Sequence, residues 1–273
     1  MKKAALILAG TALLLASAQT GFSLDGNVRY TVHNMSSTYP VAGVDSRNYI
    51  ADDPASGGTT QVCIFCHTPH NAKPAVPLWN KVMPGGFTYN LYSSGSLSSA
   101  ARSVATPGPE SLLCLSCHDG RTAVNVLVNP ATTISIGGLL DNPDTGGPLN
   151  MGYFSKMGNY GANLGKLDDI NTDNYAGSNL MDDHPISFSY TDAQTEKGGG
   201  VLHPAGLVDP AIRFFGPEKR LECSSCHDPH VAYGYIGNNP NGPGGTYVGD
   251  VKLRPFLVLS NDNSGLCLSC HNK

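Results

Sequence analysis

Cys63-Ile64-Phe65-Cys66-His67-Thr68-Pro69-His70 decides how this chain is read. Two cysteines three apart, with histidine directly after the second, form the spacing at which thiols bond a porphyrin edge and the adjacent imidazole ligates its iron. The same pattern recurs as Cys114/Cys117/His118, Cys223/Cys226/His227 and Cys267/Cys270/His271. All 8 cysteines fall in these motifs, so none is left for a structural disulfide. A lone Cys-x-x-Cys is equally half a zinc site or a redox pair. With 9 histidines in 273 residues, however, chance places one after all four pairs with a probability on the order of one in a million. The pattern predicts four covalent c-type haems.

Aligned on these motifs, the chain repeats. CIFCHTPH at 63–70 matches CSSCHDPH at 223–230, and SLLCLSCH at 111–118 matches SGLCLSCH at 264–271. Residues 19–136 and 181–273 read as two diheme units. A Gly-, Asn- and Asp-rich inserted loop over 137–180 separates them. Within it, Asp169-x-Asn171-x-Asp173 has calcium-loop spacing, but Asn174 and Leu180 stand where that loop needs glycine and a bidentate acid, so a solvated turn is expected.

Lys2 and Lys3, the apolar run Ala4–Leu15 and Ala16-Ser17-Ala18 read as a signal peptide over 1–18. Export is expected, with an extracellular or cell-surface location, or alternatively a periplasmic one. No later stretch is long enough to span a bilayer. The formal charge of -4 and the lack of a basic cluster argue against nucleic acid as a partner. Gly 32 and Pro 19 in a chain only 14% charged favour turns over long helices. The fold expected is mostly irregular and loop-rich, with a few short helices and minimal strand, cored by its haems. Strand is expected at Tyr30–His33 and Arg121–Val128, a helix stop at Asp119-Gly120, and open loop over 237–249.

Four irons use His67, His118, His227 and His271 as proximal ligands, which leaves His33, His70, His184, His203 and His230. His70 and His230 are repeat-equivalent. Pro69 and Pro229 break the helical turn after the proximal histidine, so each second imidazole should serve a neighbouring haem. Each unit then needs one more ligand from upstream. His33 fills that place in the first unit. In the second, the carboxylates of Asp182-Asp183-His184 favour His184 over His203, a loop histidine. Methionine would raise the potential, but Met35, Met83, Met151, Met157 and Met181 do not recur between units as the histidines do. Distal ligation by His33, His70, His184 and His230 is expected.

CIFCHTPHN at 63–71, Pro77-Leu78-Trp79-Asn80, DDHPISFSY at 182–190, CSSCHDPH and the terminal LCLSCH resemble tetrahaem cytochromes with doubled haem motifs. They are most similar to the OmcE-like exported cytochromes that polymerise into extracellular filaments, the cytochrome nanowires. Most of 121–180 and 191–216 is outside the likeness. The resemblance implies stacked bis-histidine haems and one axial histidine donated by a neighbouring copy, with His33 on its N-terminal arm as the donor. A ligand given head to tail builds an open polymer. Other redox proteins or extracellular acceptors would be the remaining partners. The expected role is electron carriage without catalysis. The alternatives are a monomeric periplasmic shuttle and a multihaem reductase with one open iron.

Overall fold

The computed structural model describes residues 28–31, 33–38, 50–70, 78–81, 88–118, 124–137, 178–181, 183–231, 233–236, 246–253 and 255–272. The segments expected to be the signal peptide, the calcium-like turn and the Asp119-Gly120 stop lie outside them.

The described chain is loop-rich, with short helices and very little strand. Its helices are α1 (Ser99–Arg102), α2 (Pro109–His118), α3 (Tyr190–Lys197), α4 (Cys223–Cys226) and α5 (Gly265–Cys270). The strands, in chain order, are β1 (Ile50–Ala51), β2 (Tyr89–Leu91), β3 (Val126–Leu127), β4 (Thr132–Thr133), β5 (Ile136–Gly137), β6 (Ser178–Leu180), β7 (Phe188–Ser189), β8 (Arg220–Leu221), β9 (Tyr233–Ile236) and β10 (Thr246–Gly249). They make only two-stranded ribbons: β1 with β5, β3 with β4, β7 with β8 and β9 with β10 antiparallel, and β2 with β6 parallel. Two local expectations need correction. Strand was expected over Tyr30–His33, but Tyr30 ends a 3₁₀ turn, Val28–Tyr30, and Thr31 and His33 are in no strand. Thr246–Gly249, read as open loop, instead closes an antiparallel ribbon on Tyr233–Ile236.

The haem motifs carry much of the helix. α2 begins with Pro109 at its first turn, where the missing N–H costs nothing, and Glu110 there suits the positive end of the helix dipole. Ser111, Leu115 and Ser116 are its buried face, while Cys114, Cys117 and His118 lie on partly open faces. α4 is a single turn, because Pro229 follows closely and His227 is already extended, at φ -118 and ψ 133.

Hydrophobic burial is divided among small clusters. Ala51, Phe65, Leu127 and Ile134 pack around the first motif; Tyr89, Leu115 and Leu180 pack behind α2; Tyr190, Val208, Ile212 and Val258 support α5. Each full burial such as that of Phe65 contributes about 1.5–3 kcal/mol. No helix of the described residues is long and apolar enough to cross a membrane.

Candidate haem-binding site

The histidines meet in twos. His33 faces His118 with ring centroids 6.0 Å apart, His67 faces His230 at 6.3 Å, and His184 faces His271 at 6.3 Å. Each pair joins a histidine that ends a Cys-x-x-Cys-His motif to one that does not. An iron bonded to two imidazole nitrogens at about 2.0 Å each, with each nitrogen roughly 1.1 Å from its ring centre, sets the centroids about 6.2 Å apart. All three pairs meet that separation. Among the described residues no three His, Cys, Asp or Glu side chains gather as a bare metal-ion site. Two facing imidazoles are what a porphyrin-held iron takes.

His33 lies in a desolvated setting. Burial, with a smaller push from His118, lowers its pKa to about 3, and a backbone hydrogen bond at Pro229 opposes the shift. Its ring stacks on Phe256 at 4.3 Å, and its Nδ1 is buried without a hydrogen-bond partner. Such an orphan polar atom suits an imidazole whose electrons are meant for another acceptor. Within this chain the ring lies opposite His118 and against Phe256.

Several other imidazoles have one nitrogen already engaged. His227 Nδ1 lies 2.9 Å from the Pro255 carbonyl, His184 Nδ1 lies 2.8 Å from the Pro185 carbonyl, and His230 Nδ1 lies 2.8 Å from Asp228 Oδ1. Fixing Nδ1 as the donor leaves Nε2 unprotonated, the arrangement usual behind a ligating histidine. His184 Nδ1 is supported by the Pro185 carbonyl; Asp182, one of the two carboxylates suggested by the sequence, lies outside the described residues. His230 turns away from His227 and serves the first motif. The Asp228 hydrogen bond raises its pKa, whereas burial, with His230 next, lowers that of His67. His203 is engaged through its backbone, its N–H donating to the Cys270 carbonyl at 2.9 Å and its carbonyl accepting from Tyr190 Oη at 2.8 Å. His70 and His227 have no ring facing them among the described residues.

Thiols of different motifs influence one another. Burial pushes Cys66 up to about 12, with Cys117 of the second motif adding to it and Lys81 opposing. Cys114 and Cys223, from the second and third motifs, share a hydrogen bond that raises the first well above its usual range and lowers the second. Burial, with Cys270 of the fourth motif, takes Cys226 up to about 11.

Sequence reasoning assigned no supporting role to three further side chains. Asn80 clamps the first motif: its side chain donates to the Ile64 carbonyl at 2.7 Å and the Asn129 carbonyl at 3.0 Å, and its backbone N–H donates to the Cys66 carbonyl at 2.9 Å. Lys81 is fully buried, its Nζ donating to the Val124 and Val126 carbonyls at 2.7 and 3.0 Å. Glu222 joins the second and third motifs. Its buried carboxylate accepts from Ser111 Oγ at 2.5 Å, Ser187 Oγ at 2.7 Å and Arg220 Nε at 3.0 Å, while Ser111 Oγ accepts from the Cys223 N–H at 3.1 Å. Only the Trp79-Asn80 stretch carried a sequence signal, through the family likeness.

No protein-family model matches the chain, and no curated protein matches it.

Proposed function

We propose that the chain is an exported tetrahaem c-type cytochrome that conducts electrons along its four haems, and that copies join head to tail into an extracellular filament. The observation that carries the reading is the set of three imidazole pairs, each spaced for one iron and each made from one motif histidine and one other. Cys63, Cys66, Cys114, Cys117, Cys223, Cys226, Cys267 and Cys270 would hold the rings covalently.

A c-type haem supplies a one-electron carrier whose iron alternates between ferric and ferrous states. The chain's own work is to fix ligands and spacing. Imidazole on both sides keeps the coordination shell filled, so little rearranges on reduction. Glu222, accepting from Ser111 and Ser187, holds the second and third motifs together. No side chain is needed as an acid, base or nucleophile.

The repeat supports polymerisation. The first motif of unit one takes its opposing histidine, His230, from the first motif of unit two. Continued by the same step, the first motif of unit two, at His227, takes the equivalent histidine of the next unit. That histidine is His70 of another copy. Such a contact is heterologous and does not close, which gives an open filament.

The test is spectroscopic. Purified protein should show four low-spin irons and bind no carbon monoxide when reduced in the assembled state. An open iron in intact filaments would instead favour the reductase reading, and a monodisperse monomer with four filled irons would favour the periplasmic shuttle.

A further inference from the structure

The two Cys-x-x-Cys-His-x-Pro-His motifs differ at the position after the proximal histidine: Thr68 in the first, Asp228 in the second. Both side chains organise the same turn. Thr68 Oγ1 accepts from the His70 N–H at 3.4 Å, and Asp228 Oδ1 accepts from the His230 N–H at 3.0 Å. Only the aspartate also engages the ring of the second histidine. Its Oδ1 also lies 2.8 Å from His230 Nδ1, so the ring donates to a carboxylate. By contrast, Thr68 Oγ1 donates to the His70 carbonyl at 2.7 Å and makes no such ring contact.

The other candidate ligands have weaker acceptors behind them. His227 and His184 face neutral backbone carbonyls, and His33 has a hydrogen bond to the Pro229 backbone. A carboxylate draws the Nδ1 proton toward itself, gives the ring imidazolate character and makes Nε2 a stronger electron donor. A stronger donor favours ferric over ferrous iron, which lowers the potential. Asp228 is well placed to sustain this. Its N–H donates to the Phe256 carbonyl at 2.8 Å, its carbonyl accepts from the N–H of buried Val231 at 3.0 Å, and its second oxygen has only a long contact of 3.5 Å with exposed Arg213.

Resting on the haem reading above, we infer that Asp228 is a tuning residue: its carboxylate makes His230 the most electron-donating of the distal ligands and holds down the potential of the iron shared by His67 and His230. The four irons are then unequal by construction, and the asymmetry is encoded at a single position of an otherwise repeated motif. Lys81, beside Cys66, acts on the same ring in the opposite sense, so the effect is read as the shift that Asp228 itself causes.

The test uses the full-length exported protein carrying Asp228→Thr, which keeps the turn as Thr68 does, and Asp228→Asn, which keeps a neutral acceptor. Haem content is counted first, and a redox titration then resolves the four one-electron waves. One wave is expected to move to higher potential, further for Asp228→Thr than for Asp228→Asn, while the other three stay. Four unchanged waves with four bound haems would overturn the role of Asp228 and leave the electron-carrier reading intact; a chain without covalent haem would overturn that reading instead. A measurement on the unaltered protein guards against variants that fail to mature. Electron paramagnetic resonance of the oxidised form should give one low-spin signal with imidazolate character, and four signals typical of neutral imidazoles would refute the inference.

Discussion

The rings of His33 and His118 face each other at 6.0 Å inside one chain, and the buried His33 Nδ1 has no hydrogen-bond partner. From that relationship we propose that His33 serves the second motif of its own chain. Replacing His33 by alanine should therefore open one iron without dissolving the filament. Reduced His33→Ala protein, with four haems attached, is expected to bind about one carbon monoxide per chain. Loss of filaments with no carbon monoxide binding would instead favour the inter-subunit role.

The histidine that joins copies is expected to be His70. His70→Ala should retain four covalent haems but yield single subunits by negative-stain microscopy and sedimentation. The Thr68 and Asn129 contacts to the His70 backbone at 2.7 and 2.6 Å do not depend on the ring, so the local loop should survive. Filaments of normal length from this variant would refute head-to-tail ligation by His70.

Acid should displace the ligands in a definite order. His230 has its pKa raised by the Asp228 hydrogen bond, so as pH falls it accepts a proton earlier than an ordinary imidazole. His33 has its pKa lowered to about 3 by burial. Between its ordinary value near 6.5 and about 3, the unfolded chain binds a proton at His33 that the folded chain refuses. Stability falls through that window as pH is lowered, by up to about 1.4 kcal/mol per pH unit, and is fully present above it. In an optical pH titration the iron facing His230 should turn high-spin first and the iron facing His33 last. The reverse order would contradict the assignment of environments.

Glu222 is the main polar joint between the second and third motifs. Glu222→Ala would leave Ser111, Ser187 and Arg220 without their shared acceptor. Because Arg220 is partly exposed, the loss is expected to be about 2–4 kcal/mol, with about half of that for Glu222→Gln. Denaturant midpoints measure it; a change under about 0.5 kcal/mol would show that the network contributes no more than an ordinary surface contact.

What could be read from sequence was the local part. Cys-x-x-Cys-His spacing, the doubled pattern and the prolines at 69 and 229 act within a few residues, so their consequences for local chain direction are written in order along the chain. The loop-rich character followed from glycine and proline in the same way. The partners of the histidines were harder, because His33 meets His118 and His67 meets His230 only after distant loops close. Counting histidines singled out His33, but not the Phe256 ring against which it stacks. Asn80, Lys81 and Glu222 gave no sign of burial, since polar side chains enter a core only when distant carbonyls and hydroxyls are there to meet them. Asp228 was visible as a letter in CSSCHDPH, yet its distinction from Thr68 lies in a 2.8 Å contact with a ring.

The central claim is that these eight thiols and the imidazoles beside them hold four haems. Mass spectrometry of the denatured, exported protein tests it most directly, because only covalently bound rings survive denaturation. The account predicts a single species at the mass of the processed chain plus four haems, with no free thiol detectable. A mature species carrying fewer haems, or one whose cysteines are paired as disulfides, would contradict it.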